Sequence, residues 1–277
     1  MIALKFLWSP DPVAISLGGF NVYYYSLMFV IAFASGLYLM KYMFKKEGIS
    51  LEYLDPLLLY MVAGTLVGAR LGEVFFYNWD YFQNNLLEII LPVKISEEGW
   101  KFVGFRGLAS HGAVVGILTA LYLYTKKYKY ASMLWLLDRV VITAVFGGVF
   151  IRIGNFFNSE IVGKYTGSNF GVVFQNNGEV LPRHPVQLYE SFGYFIVFII
   201  LFACYKNTQL RNQKGFLTGA VFALLFIVRF VAEFVKENQG GFGEQLGHLS
   251  TGQWLSIPLI LFGLVLMALS TRNKTNA

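Results

Sequence analysis

Long apolar runs separated by polar connections set the pattern of this chain. Spanning the hydrocarbon of a bilayer takes about 20 apolar residues per helix. Seven runs meet that length, near 19–40, 56–77, 108–125, 132–153, 188–205, 216–235 and 251–270. Gly64, Gly68 and Gly72 recur four apart in the second run, and Gly112 and Gly116 in the third. This spacing lets helix backbones approach closely. The connection 78–106 carries an apolar stretch from Leu86 to Leu91, too short to span, between Trp79 and Trp100. It reads as an arm lying at the membrane interface. The connection 154–187 holds Val172-Val173-Phe174, then Asn176-Asn177-Gly178, then Val180-Leu181. That order is a hairpin signal and predicts a small extramembrane β cap. No solenoid period, low-complexity stretch or pair of inverted broken segments is present.

Polar positions inside the apolar runs gather at one end of them. Arg70, Glu73, His111, Arg152, Asn155, Glu160, Glu190, Arg229, Glu233 and Gln253 each lie in or beside the half of a segment that faces one side of the membrane. A charge at bilayer depth costs about 3 kcal/mol on insertion scales, so it persists with a partner or a task. Their common depth predicts a polar chamber in one leaflet.

Composition fits this picture. Hydrophobic residues make up 56% of the 277 and charged residues 14%, where a soluble domain carries about 25% charge. Basic residues crowd four short flanks: Lys41, Lys45 and Lys46; Lys126, Lys127 and Lys129; Lys206, Arg211 and Lys214; Arg272 and Lys274. The positive-inside rule puts these flanks in the cytoplasm. The expected fold is therefore an all-α integral membrane protein of seven transmembrane helices. Its N-terminus lies outside and its C-terminus inside. Residues 1–277 form a single seven-helix membrane domain, with an outer interfacial arm at 78–106 and an outer head at 154–187. The net charge of +6 sits in short loops and not on one solvated face, which speaks against nucleic acid as a partner. The N-terminus lacks a basic n-region, and Pro10 and Pro12 precede the first apolar run, arguing against a cleaved signal peptide. Cys204 is the only cysteine, so no disulfide forms within the chain, and His111, His184 and His248 have no metal-site spacing. No metal and no cofactor is implied.

The residues that carry chemistry are densest from Arg152 to Gly163, at the outer end of the fourth run. Gly154 and Asn155 suit a helix terminus, beyond which backbone and amide donors line a headgroup pocket. A loop pinned by an Arg152–Glu160 ion pair is the alternative. Arg229 and Glu233 stand four apart in the sixth run and share a face; they form either a self-satisfied pair or half of an anion site. Two guanidiniums at one depth suit a phosphate, because arginine presents planar paired donors. Glu160 and Glu233 would then steady one guanidinium each. His111 enters the third run at the depth of the arginines, either as a proton acceptor or as a plain hydrogen-bonding group. Asp138 and Arg139 begin the fourth run at the opposite end, which implies a structural or topological role. Tyr23-Tyr24-Tyr25 is mainly an aromatic belt, from which one phenol is free to turn inward.

Together these stretches resemble the prolipoprotein diacylglyceryl transferase family of bacterial plasma-membrane enzymes. The most specific match is the signature Arg-x-Gly-Asn-Phe-x-Asn-x-Glu-x-x-Gly, carried by Arg152 through Gly163. Tyr25-Ser26-Leu27-Met28, Gly68 to Gly72, Ser110-His111-Gly112, Arg183 to Glu190, Arg229-Phe230 with Glu233-Phe234, and Gly252-Gln253 before Pro258 support it. The resemblance implies transfer of the sn-1,2-diacylglyceryl group of phosphatidylglycerol to the lipobox cysteine of a prolipoprotein signal peptide. A thioether forms and glycerol 1-phosphate leaves, the first step of lipoprotein maturation. It implies a multi-pass protein of the bacterial plasma (inner) membrane with its active site on the extracytoplasmic side. His111, Arg229, Glu233 and Glu160 become the catalytic candidates. Arg152, Tyr25, Asn155, Gly163 and Arg70 become the phosphatidylglycerol-binding candidates. The chain departs from the family at Ser110, Ala113, Ser159, Leu225 and Lys236, where an aromatic, two glycines, a tyrosine and an arginine respectively are usual. A transporter predicts polar sites at mid-membrane, and a retinal protein needs a lysine in the seventh run; neither feature is present.

Overall fold

A backbone in lipid has to satisfy its own hydrogen bonds, and the long apolar runs do so as helices. The computed structural model describes residues 5–18, 20–91, 93–96, 99–102, 109–237 and 247–272. Strands β1 (Lys5–Trp8), β2 (Val13–Leu17) and β3 (Phe20–Tyr23) precede helices α1 (Tyr24–Glu47) and α2 (Leu54–Phe76). Two single turns, α3 (Trp79–Phe82) and α4 (Leu87–Ile90), lead to strands β4 (Val93–Ser96) and β5 (Gly99–Phe102). Helices α5 (Ser110–Lys127) and α6 (Met133–Phe157) follow, then strand β6 (Gly171–Phe174). The remainder is α7 (Val186–Lys206), the turn α8 (Thr208–Arg211), α9 (Phe216–Ala232) and α10 (Thr251–Arg272).

Among the described residues, five stretches are long and apolar enough to cross a membrane: Tyr24–Glu47, Leu51–Phe76, Met133–Phe157, Val186–Lys206 and Thr251–Thr271. Helix α9 is apolar but has only 17 residues. Helix α5 is diluted by Thr119, Thr125, Lys126 and Lys127. Val30, Phe192, Ile199 and Leu261 are all exposed on the long helices, a display that suits lipid and not water. The chain is a membrane protein built mostly of helices with small sheets.

Its contacts fall into two compact units, Met1–Met43 with Leu137–Ala277, and Phe44–Leu136. In the second unit α2 and α5 pack through the glycine stripes expected from their spacing. A Cβ on Gly68 would lie 2.4 Å from Gly112 O and 2.7 Å from Gly116 Cα, so the backbones touch where side chains would normally separate them. The arm of this unit folds on itself, with β4 and β5 forming a hairpin. The buried Glu88 carboxylate accepts from Tyr81 Oη at 2.7 Å and from Ile95 N at 2.8 Å. Leu86, Leu87, Ile90 and Trp100 stay exposed along this stretch.

The first unit has helix ends stapled at both extremes. At one, buried Asp138 of α6 accepts from Gly215 N at 2.7 Å, Thr218 N at 2.8 Å and Thr218 Oγ1 at 2.7 Å. A carboxylate from one helix thus caps the N-terminus of α9, whose own N-cap, Gly215, has no side chain to offer. Asp138 therefore has the structural role that its place in the sequence implies. At the other extreme β1 pairs in parallel with β6. The local hairpin expected between Val172 and Leu181 does not form in that register. Val172 pairs instead with Arg183, and the free edge of β6 takes a strand from the N-terminus that local patterning had no means to reveal.

Candidate active site

Helix α6 runs to Phe157, four residues beyond the expected end of the fourth run, so Gly154 and Asn155 lie in its last turn. Trp8 explains the extension. Its indole stacks on Phe156 with centroids 4.4 Å apart, and its Nε1 donates to the Phe156 carbonyl at 2.9 Å. That carbonyl, in the last turn of α6, also accepts from Ser159 N at 3.0 Å, so the indole is its second partner. Gly154 faces Tyr25, where a Cβ would come within 2.7 Å of the ring. The last turns of α6 thereby meet the first turn of α1.

Arg152 is steadied from three directions. Its Nε lies 3.0 Å from Glu190 Oε2, its Nη1 donates to Asn155 Oδ1 at 3.2 Å, and its guanidinium carbon lies 5.8 Å from the Tyr194 ring centroid. Glu190 is 1% exposed. The contact is an ion pair whose angles leave Glu190 Oε2 without an aligned hydrogen bond. The expected Arg152–Glu160 pairing is corrected: Glu160 Oε1 accepts from Asn155 Nδ2 at 2.6 Å and Asn158 Nδ2 at 3.4 Å, and Gln187 Nε2 donates to the Glu160 carbonyl at 2.7 Å. Glu160 acts on Arg152 through Asn155. Tyr25 has turned inward from the belt and lies within electrostatic reach of Glu160, Asn155 and Arg152. Tyr25, Arg152, Asn155 and Glu160 therefore form one cluster.

The second arginine reaches the same place from α9. Tyr194 of α7 is 5% exposed and interacts electrostatically with Arg152, Glu190 and Arg229 at once. Close packing makes this possible. A Cβ on Gly193 would lie 2.5 Å from Val228 Cγ1, so α7 and α9 approach at the residues next to Tyr194 and Arg229. Glu233 does not hold Arg229, contrary to expectation. Its Oε1 accepts from Lys236 Nζ at 3.0 Å and its Oε2 from Ser250 Oγ at 2.9 Å. Gly252 gives that carboxylate room, since a Cβ there would fall 2.4 Å from Glu233 Cδ. Among the described residues, no carboxylate stands within ion-pair distance of Arg229, and its guanidinium lies 5.8 Å from the Phe226 ring centroid. One guanidinium is thus neutralised by Glu190, and the other has no carboxylate partner among the described residues.

Gly163 is buried in the head, its N–H donating to His184 O at 3.0 Å and a Cβ there meeting His184 O at 2.5 Å. His111 and Arg70 belong to the second unit. His111 is exposed in the first turn of α5. Arg70 donates to the Ile89 carbonyl at 3.2 Å and to the Glu88 carbonyl, and lies 4.6 Å from the Phe82 centroid. These contacts engage its donors in holding the arm. Sequence reasoning missed Tyr194 altogether, although it lies one turn beyond Glu190; a buried phenol among apolar residues carries no signal of its own.

The family model described as prolipoprotein diacylglyceryl transferase matches residues 12–269. A phosphatidylglycerol–prolipoprotein diacylglyceryl transferase of Tolumonas auensis is 41% identical over 96% of this chain and 98% of its own. Proteins of the same name from Bacteroides fragilis and Chloroherpeton thalassium are 37% and 41% identical over 99% and 96% of this chain, and 98% and 94% of their own. The chain belongs to the prolipoprotein diacylglyceryl transferase family. The family match spans both units, so it takes in the Arg152–Arg229 cluster and the stretch carrying His111.

Proposed function

We propose that this chain transfers the sn-1,2-diacylglyceryl group of phosphatidylglycerol to the thiol of a lipobox cysteine in a prolipoprotein signal peptide. The observation that carries this reading is the placement of Arg152 and Arg229 about Tyr194, with the Arg152 guanidinium 5.8 Å from its ring and α7 touching α9 at Gly193 and Val228, inside a chain of this family. The sulfur attacks the glyceryl carbon, the carbon–oxygen bond to phosphate breaks, and glycerol 1-phosphate leaves. Arg152 and Arg229 bind the phosphate and offset the charge that grows on it. Tyr25 and Asn155 bind oxygens of the headgroup, Glu160 and Glu233 hold the donors in place, and Gly163 shapes the pocket wall. A thiol reacts as its thiolate, and His111 is assigned as the base that takes its proton.

The reading includes seven membrane crossings, with α5 and α9 as the two shorter ones, an outside N-terminus and an inside C-terminus. It puts the protein in the bacterial plasma (inner) membrane with the site on the extracytoplasmic side, where both lipid and precursor enter laterally. Basic Lys126, Lys127, Lys206 and Arg211 at the ends of α5, α7 and α8 support this orientation.

The test is purified protein in phosphatidylglycerol vesicles with a lipobox peptide, followed by peptide mass. The peptide gains one diacylglyceryl group. Arg152→Lys inserts normally yet loses at least about 100-fold in rate, because a point charge cannot reproduce paired donors. Near-parental transfer by that variant refutes the phosphate role.

A further inference from the structure

Residues 162–164, where the signature ends, run between two other stretches of chain. On one side Lys164 N donates to Val235 O at 2.8 Å and Glu237 N to Val162 O at 3.2 Å, with Gly163 opposite Lys236. On the other, Gly163 N donates to His184 O and His184 N to Lys164 O, both at 3.0 Å. The signature segment is therefore the middle strand of a small patch. It follows Asn155 and Glu160 directly, and the strand beside it follows Arg229 and Glu233. Arg183, 8% exposed, closes the patch. Its Nη1 donates to Gly163 O at 3.0 Å and also pairs with Glu237. Its Nε and Nη2 reach Glu179 Oε1 at 2.8 and 2.7 Å, and the Tyr165 ring covers the guanidinium at 3.9 Å. Every described partner of this guanidinium lies in the head or in the segment after α9.

We infer that Arg183 is a positioning residue: by tying 162–164 to 235–237 it fixes the gap between the Tyr25–Arg152–Asn155–Glu160 cluster and the end of α9 that carries Arg229 and Glu233. This rests on the transferase reading, in which both groups grip one phosphate. A misplacement of about 1 Å in such a site costs on the order of 100-fold in rate. The interaction is also one that lysine cannot reproduce, since a single ammonium lacks the fork that serves three acceptors.

Arg183→Ala lowers kcat by about tenfold or more with little change in the KM for peptide, and Arg183→Lys recovers only part of the loss. Amide exchange in 160–166 and 234–237 quickens in the alanine variant. Cysteines at Lys164 and Val235, in a Cys204→Ser background, stand at the two ends of the hydrogen bond from Lys164 N to Val235 O, which keeps their Cα atoms within the roughly 7 Å that a disulfide can bridge. Oxidising that pair in the Arg183→Ala protein restores kcat, and the same pair with Arg183 intact leaves activity unchanged. Parental kcat in Arg183→Ala, unaltered exchange, or a defect that the cross-link fails to rescue overturns the inference. If the parent transfers no diacylglyceryl group, the transferase reading fails, and the exchange comparison still decides the clamp.

Discussion

Ser159 shows how a single position bears strain at a functional loop. It stands between Asn158 and Glu160 with φ of 55°, 2% exposed, and its Oγ has no aligned partner among the described residues. A left-handed backbone costs a non-glycine residue about 1–2 kcal/mol, and a buried unpaired hydroxyl adds to that. Ser159→Gly relieves both terms against a smaller loss of unfolded-state restriction. It should stabilise the protein by about 1 kcal/mol, read as a higher midpoint of thermal unfolding in detergent. Glu179, in the head, allows a pH test. Burial alone would raise its carboxyl, but hydrogen bonds from Arg183 and Tyr165 outweigh burial and hold it below the ordinary 4.5. A carboxylate depressed in the fold binds fewer protons than the unfolded chain does, so its contribution is complete above 4.5 and is lost as pH falls further. The stability difference between parent and Glu179→Gln should shrink as pH is lowered through and below that value.

At the scale of elements, close backbone approach does the positioning. Gly68→Ala puts a methyl 2.4 Å from a carbonyl oxygen of α5, and no flexible side chain is there to yield. The variant should lose about 1–3 kcal/mol as the pair separates, measured by unfolding in mixed detergent. Gly252→Ala differs in kind, because the methyl meets the mobile end of Glu233. It should leave stability near parental while lowering the transfer rate, since Glu233 has to leave Lys236 and Ser250. These glycines were visible in the sequence as spacing and as part of a motif. Their partners were not, because a spacing of four names a face and leaves open what touches it. The extent of α6 was likewise unreadable: Trp8, which caps its end, lies far away in the chain.

For the whole molecule, the decisive property is the sidedness of the charges. Single cysteines at Lys129 and Val180, both exposed, in a Cys204→Ser background should react differently with a membrane-impermeant maleimide. Val180→Cys labels in intact cells, and Lys129→Cys labels only after the inner face is opened. The reverse pattern would invert the topology and move the arginine cluster to the wrong leaflet. Hydropathy along the chain was enough for the long helices and the membrane environment, because a backbone in lipid satisfies itself locally. The signature from Arg152 to Gly163 was equally plain as a string of residues. Which carboxylate meets which guanidinium was settled by packing alone. Arg152 took Glu190 from α7, Glu160 took Asn155, and Glu233 took Lys236 and Ser250. Ion pairs form between groups that folding brings within a few ångströms, and linear order does not encode that distance.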